Sequence, residues 1–203
     1  MREYNYLIKK LNKNHINDAA TIWKESLPLN IKSIIGSVII KDYLEKIIES
    51  DKSLSNGIFF NEKLLGFVIF NHDEKFLMNF ILKNIHIVSF SFLKNIIFFN
   101  FKNIFFFINV FLYLLFFPKK NNSSSIFETE LLVIVISNNF KNRKLGTKLI
   151  QGTINNKYFN SFKKINVITL KDTPENIYFY QKNGFKINFE YFGRVFLNYF
   201  LNR

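Results

Sequence analysis

Glu130–Ile150 reads ELLVIVISNNFKNRKLGTKLI, and its three parts decide the fold. Leu131–Ile136 is an unbroken run of Leu, Val and Ile, the pattern of a central strand buried on both faces. A basic, Asn-rich turn follows it. From Leu145 to about Lys157 apolar residues then recur at helical spacing, starting beside Gly146. A strand feeding a helix through a short turn brings free backbone N–H groups and a helix N-terminus to one point, here with Lys141, Arg143 and Lys144 around it. Such a point suits a pyrophosphate.

Downstream, the pattern predicts a strand over Ile165–Leu170, a helix over Pro174–Asn183 and a final strand near Ile187–Phe200. Upstream, Tyr4–Lys10 reads as a strand flowing into a helix, with Asn14 or Asn17 as its cap ahead of Asp18 and Pro28 as its stop. A second helix is expected over Val38–Ser50, where Ile39, Ile40, Tyr43, Leu44, Ile47 and Ile48 share one face. Two apolar runs, from Gly57 and from Leu64, flank the polar Asn61-Glu62-Lys63 and predict a hairpin. The expected class is α/β (α+β), a mixed central sheet flanked by helices in a single domain over residues 1–203.

Phe76–Phe117 is dominated by Phe, Ile and Leu, most densely at Ile104–Phe117. As a helix that dense run is roughly 21 Å long, short of the ~30 Å hydrocarbon core. Asn100, Lys102 and Asn103 interrupt any upstream extension. Asn84, Ser91, Asn95, Lys102 and Asn109 fall on one face if the region is helical. Residues 76–120 are read as an inserted hydrophobic helical segment lying in or against a membrane interface, with Lys119 and Lys120 near the headgroups. A buried helix, or a contact between copies in a homodimer, is the other reading. Pro118–Ile126 is a polar linker.

Composition narrows the chemistry. The chain has 203 residues, 48% hydrophobic and 21% charged, which is a globular balance. Cysteine is absent, which excludes disulfide scaffolds, thiolate nucleophiles and Cys-ligated metals. His15, His72 and His86 match no metal or catalytic spacing and are read as structural; no metal is expected. The +13 net charge comes from lysines scattered among Asn, Ile and Phe, which reads as coding bias rather than a nucleic-acid patch. No nucleic-acid partner is expected. MREYNYLIKK has no apolar run resembling a signal peptide, so the expected place is the cytoplasm, at the inner face of the membrane if residues 76–120 touch lipid.

Two segments resemble the GNAT superfamily of N-acetyltransferases. That pattern is a strand, Gln/Arg-x-x-Gly-x-Gly/Ala opening a helix, a second strand, then Phe-Tyr-x-x-x-Gly-Phe. Lys141-Asn142-Arg143-Lys144-Leu145-Gly146 stands at the first motif, and Phe179-Tyr180-Gln181-Lys182-Asn183-Gly184-Phe185 fills the last with every named residue in place. The resemblance covers 129–186, extends more loosely over 1–75, and continues in the Tyr191-Phe192-Gly193 turn. Three departures stand out: Lys141 replaces Gln or Arg, Lys144 brings a Cβ where glycine lets a backbone approach closely, and the 76–120 insertion is long.

The resemblance implies acetyl-CoA as co-substrate and an enzyme that moves its acetyl group to a primary amine. Backbone groups of Ile134, Val135 and Ile136 are then expected to pair with the pantetheine arm, and an amide, that of Ile136, to stabilise the oxyanion. The diphosphate is expected on the amides of Asn142, Arg143, Lys144, Leu145, Gly146 and Thr147, with Thr173 adding a hydrogen bond to the cofactor. Tyr180 matches the general acid that protonates the leaving thiolate; Glu130 matches the base, with Glu128 two residues away as its understudy. The acceptor is read as a small-molecule amine, with a peptide or protein amine as the other reading. Likeness to members with a long hydrophobic insertion points to an amino sugar of surface-polysaccharide assembly. The alternative is a non-catalytic GNAT-fold module that binds a membrane or a partner, which Lys144 favours and the intact Phe-Tyr-x-x-x-Gly-Phe segment opposes.

Overall fold

A computed structural model describes residues 5–27, 36–73, 75–84 and 128–201. The readings of Pro28, of Ile104–Phe117, of the polar stripe beyond Asn84 and of the 118–126 linker lie outside the described residues. The elements in order are β1 (Leu7–Lys10), α1 (Ile16–Ser26), α2 (Ser37–Glu49), β2 (Ser53–Phe60), β3 (Lys63–Asn71), α3 (Phe76–Lys83), β4 (Glu128–Ile136), α4 (Leu145–Ile154), β5 (Lys164–Leu170), α5 (Pro174–Lys182), β6 (Lys186–Tyr191) and β7 (Arg194–Phe200). The strands form one mixed sheet in the order β1-β2-β3-β4-β5-β7-β6. Among the described residues, only the β4–β5 pair is parallel, and the other pairs are antiparallel.

Helices cover both faces because the strands are apolar on both. In β3, Val68 and Phe70 enter a core shared with α4 and α5, while Phe67 and Ile69 enter a second core shared with α1 and α2. The helices match this with one-sided stripes: Ile40, Tyr43, Leu44, Ile47 and Ile48 are buried on α2, and Leu145, Leu149, Ile150, Thr153 and Ile154 on α4.

Three boundaries differ from the sequence reading for local reasons. Asn12, rather than Asn14 or Asn17, starts the first helical segment: its side chain accepts from the Asn14 N–H at 3.0 Å while His15 Nδ1 accepts from the Asn12 N–H at 3.1 Å, a reciprocal cap. The final strand is a hairpin, turned at Phe192 and Gly193 with φ of 45° and 67°, as a two-residue turn of this hand requires. The helix after Gly146 stops at Ile154 instead of reaching Lys157, where a 3-10 turn begins.

Among the described residues, β3 ends at Asn71 and the next strand, β4, starts at Glu128. Tyr158 ties the two ends together. Its hydroxyl lies 3.1 Å from Thr129 Oγ1 and 3.2 Å from His72 Nδ1, and donates to the Lys52 carbonyl at 3.1 Å. Beyond this knot, α3 folds back on α2, with Phe76 and Phe80 meeting the Tyr43 ring edge-on. Among the described residues, no helix is long and apolar enough to cross a membrane.

Candidate functional site

The site begins where two parallel strands part. β4 and β5 pair only from Glu128–Lys164 to Glu130–Asn166. Past that point β4 stays with β3 as far as Ile136, and β5 stays with β7 as far as Leu170. The edge of β4 that faces β5 is therefore open from Leu131 onward. The Ser137 N–H bonds the Leu65 carbonyl at 2.8 Å, on the β3 side. Peptide groups alternate sides along a strand, so Ile134 and Ile136 direct their N–H and C=O groups to the open edge, and Val135 directs its own to β3.

A β-bulge sets the side chains around this opening. Ile69 faces Val133 and Phe70 faces Leu131, leaving Leu132 as the extra residue of β4. Leu131 and Val133 are two apart yet lie in different cores. Before the bulge, Leu131 lies in the core shared with α4 and α5, Thr129 shares its face of the strand and Glu130 takes the opposite one. After it, Ile134 and Ile136 face α4 and Val135 lies in the α1–α2 core.

At the end of β4 the chain makes a 3-10 turn over Asn138–Phe140 and then an exposed loop, Lys141–Lys144. Asn142 and Lys144 adopt left-handed backbone, with φ of 63° and 59°. Lys144 caps α4 with no side-chain hydrogen bond, and intrahelical bonding starts with the Lys148 N–H to the Lys144 carbonyl at 3.0 Å. The amides of Leu145, Gly146 and Thr147 thus have no intrahelical acceptor, at the positive end of the helix dipole. The Leu145 side chain is buried, so only its backbone faces the loop. Arg143, in the loop that leads into these amides, lies over the Phe140 ring at 5.2 Å.

Gly146 joins three elements. A Cβ built on it would meet Phe179 of α5 at 3.0 Å and Ile136 of β4 at 3.9 Å. Tyr180 follows Phe179 and is buried, its ring 5.4 Å from that of Phe179 and 5.6 Å from that of Phe185. The end of α5 explains the Gly-Phe that follows. Gly184, at φ 90°, donates to the Gln181 carbonyl at 3.0 Å, and the Phe185 N–H donates to the Tyr180 carbonyl at 3.1 Å, so the helix closes with a left-handed cap and an aromatic contact back onto Tyr180. Burial pushes the Tyr180 phenol up to about 12, so it remains protonated across the physiological range.

The two carboxylates on β4 differ. Glu128 pairs with Lys164 at 2.9 Å and accepts from Asn166 Nδ2 at 2.8 Å, which makes it part of the β4–β5 junction. Glu130 lies at the last paired position, and its charge adds to burial, the larger cause, in raising the phenol of Tyr43 on α2 above its ordinary value. Thr173 caps α5 and spends its hydroxyl on the Leu170 carbonyl at 2.7 Å. Among the described residues, no three His, Cys, Asp or Glu side chains come together as a metal site.

Sequence reasoning did not single out Tyr43, because its spacing with Ile40, Leu44 and Ile47 is that of any core aromatic. The Leu132 bulge also left no trace, since an unbroken apolar run has no alternation to disrupt.

No family model and no curated protein matches the sequence. Solved structures do match it over nearly its whole length. The GNAT-family acetyltransferase from Streptococcus pneumoniae is 16% identical and superposes with a TM-score of 0.57, covering 98% of this chain and 100% of that one. PaiA N-acetyltransferase from Thermoplasma acidophilum, solved in complex with coenzyme A, is 13% identical with a TM-score of 0.57, covering 97% and 99%. The ribosomal-protein-alanine N-acetyltransferase from Brucella melitensis is 11% identical with a TM-score of 0.60, covering 96% and 99%. The chain has the fold of the GNAT-family N-acetyltransferases.

Proposed function

We propose that this protein is an acetyl-CoA-dependent N-acetyltransferase acting on a small-molecule primary amine. The observation that carries the reading is the opening between β4 and β5, which ends at the uncapped N-terminus of α4. An open strand edge can pair with the amide-bearing pantetheine arm. A helix N-terminus reached through a loop that carries Lys141, Arg143 and Lys144 can hold a diphosphate. In this reading the amides of Asn142–Thr147 hold the diphosphate, and the open edge at Ile134 and Ile136 receives the pantetheine, with Val135 supporting it from the β3 side. Thr173 contributes by fixing the start of α5.

The chemistry is a thioester aminolysis. The amine nitrogen attacks the acetyl carbonyl carbon, and the Ile136 N–H stabilises the oxyanion that forms. The C–S bond then breaks and Tyr180 gives its proton to the departing thiolate, while the proton lost by the amine goes to Glu130. Burial keeps the Tyr180 phenol protonated, so the proton is in hand when the C–S bond breaks.

The proposal extends to the domain organisation: one domain over 1–203, with 76–120 as a hydrophobic helical insertion that makes a peripheral contact, either with the inner face of the membrane or with a second copy. An amino sugar is the first acceptor to screen, on the family analogy that the insertion supplies. Isothermal titration with acetyl-CoA, with desulfo-CoA as comparison, tests the central reading. Micromolar binding followed by amine-dependent release of free thiol supports it. Absence of binding at millimolar acetyl-CoA overturns it.

A further inference from the structure

The sheet register aligns one row of polar side chains across four strands. Glu130 of β4 is paired with Asn166 of β5, Asn166 with Asn198 of β7, and Asn198 with Lys186 of β6. Each stands next in sequence to a residue of the core shared with α4 and α5: Leu131, Ile165, Leu197 and Phe185 in turn. Neighbours along a strand take opposite faces, so the whole row lies on the face away from α4. It starts at the proposed base and runs from it across the sheet. At about 4.8 Å per strand, the Asn198 backbone stands about 10 Å from that of Glu130.

A second row runs beside the first, two residues nearer the end where β4 and β5 part. Ile168 of β5 is paired with Phe196 of β7, and Phe196 with Phe189 of β6. The two phenyl rings stack at 4.2 Å with 11° between their planes. Phe196 is buried, whereas Phe189 stays 42% exposed. The helices on this side of the sheet, α1, α2 and α3, build their core with β2, β3 and β4. Among the described residues, that core takes nothing from β5, β6 or β7.

The two rows differ in chemistry. Asn166 gives Nδ2 to Glu128 at 2.8 Å, and Asn198 enters no side-chain hydrogen bond among the described residues. A planar amide offers both a donor and an acceptor to a hydroxyl. The other row offers an aromatic face and an aliphatic side chain. A ligand that uses both rows needs a polar rim and an apolar face on one small body. An alkyl amine would leave the amides unused. A polyamine would bring further positive charge toward Lys186, in a chain whose net charge is already +13.

Building on the proposed acetyl transfer, we infer that the acceptor is a six-membered polyhydroxylated ring that carries the amine. Its apolar face lies against Phe189, a ring hydroxyl meets the Asn198 amide, and its amine comes to Glu130. Asn198 and Phe189 are the residues that select it.

Glucosamine, butylamine and spermidine serve as probe amines. The unsubstituted protein should favour glucosamine in kcat/KM. Asn198→Ala should cut its preference for glucosamine over butylamine roughly tenfold, mainly through KM, with acetyl-CoA affinity unchanged. Phe189→Leu, which keeps apolar bulk and loses the flat ring, should cut it in the same direction. A preference for spermidine or butylamine, or a ratio that neither substitution moves, would overturn the inference. Acceptor binding can also be read without turnover. In 15N-labelled protein the side-chain amide resonances of Asn198 should shift as glucosamine is added and stay in place with spermidine. Resonances that ignore glucosamine sink the inference whatever the activity. Shifted resonances in a protein that does not bind acetyl-CoA sink only the proposed reaction.

Discussion

Gly146 of α4 lies directly against the ring of Phe179 of α5: a Cβ in its place would stand 3.0 Å from Cε2 and 3.1 Å from Cζ of that ring. The glycine of the first motif is thus required where two helices and the end of β4 meet, with Ile136 next in line at 3.9 Å. Phe179 is the first residue of the second motif, so the two motifs touch through their own residues.

Gly146→Ala should therefore push α4 from α5, at a cost of about 1–3 kcal/mol in stability, and weaken acetyl-CoA binding as the helix N-terminus shifts. Phe179→Leu in the same chain should return both, since it frees the space the new methyl needs. Thermal denaturation and titration calorimetry on the single and double variants check this. Rescue of stability without rescue of binding would mean that the glycine also serves a close backbone approach to the ligand.

Tyr180→Phe should lower kcat by about a hundredfold and leave acetyl-CoA affinity nearly intact. The phenyl ring keeps its packing against Phe179 and Phe185, so the melting temperature should hardly move. With the phenol pushed up to about 12, the unsubstituted enzyme should show no basic limb from Tyr180 below about pH 11. A wild-type rate in the variant would remove Tyr180 from the mechanism.

How much of this was legible depends on the range over which each feature is determined. The Phe-Tyr-x-x-x-Gly-Phe segment is local: a left-handed glycine, a helix stop and an aromatic contact within a few residues, so its sequence announces its structure. The Leu131–Ile136 strand is also local, because six apolar residues in a row admit few alternatives. The bulge at Leu132 depends on the register with β3, and the parting of β4 from β5 depends on where Asn166 falls. Neither is written in β4 itself. The engagement of Glu128 depends on Lys164 and Asn166, far along the chain, which is why the sequence kept Glu128 as an understudy to Glu130.

That distinction makes a contrast. Glu128→Gln should lower stability by about 1–3 kcal/mol, because it leaves the partly buried Lys164 without its charge partner, while turnover changes little. Glu130→Gln should do the reverse, lowering turnover with little change in melting temperature and flattening the acid limb of the pH–rate profile. Denaturation curves and pH–rate profiles for both variants distinguish the two. A stable, slow Glu128→Gln would transfer the base to that residue.

Stability itself should depend on pH through His72. Burial first, then the nearby Lys52 charge, hold its pKa below the ordinary value, with Asp73 opposing them. His15 is lowered as well, by burial and by Lys9. The unfolded chain thus binds these protons at higher pH than the folded one does, so stability is full above the ordinary histidine range and is lost as pH falls below about 6.5. The melting temperature should drop between about pH 7 and pH 5, and His72→Gln should reduce that drop. A pH dependence unaltered in the variant would mean that the knot around Tyr158 tolerates the charged imidazole.

Lys144 holds left-handed backbone at φ 59° and ψ 14° immediately before α4, a conformation that costs a residue with a Cβ roughly 1–2 kcal/mol. Its side chain is exposed, so Lys144→Gly removes the strain without losing packing, while the freer unfolded chain takes back part of the gain. The expected net is a rise in stability of about 0.5–1 kcal/mol. Binding then separates two roles for this position. If the lysine Cβ crowds the loop amides, the glycine variant should bind acetyl-CoA more tightly at every ionic strength. If the ammonium charge is what holds the diphosphate, the variant should bind more weakly at low salt and converge on the unsubstituted protein as salt screens the interaction. The tighter binding is expected, because Lys141, Arg143 and Lys148 remain to supply charge while nothing else in the loop can supply the missing space.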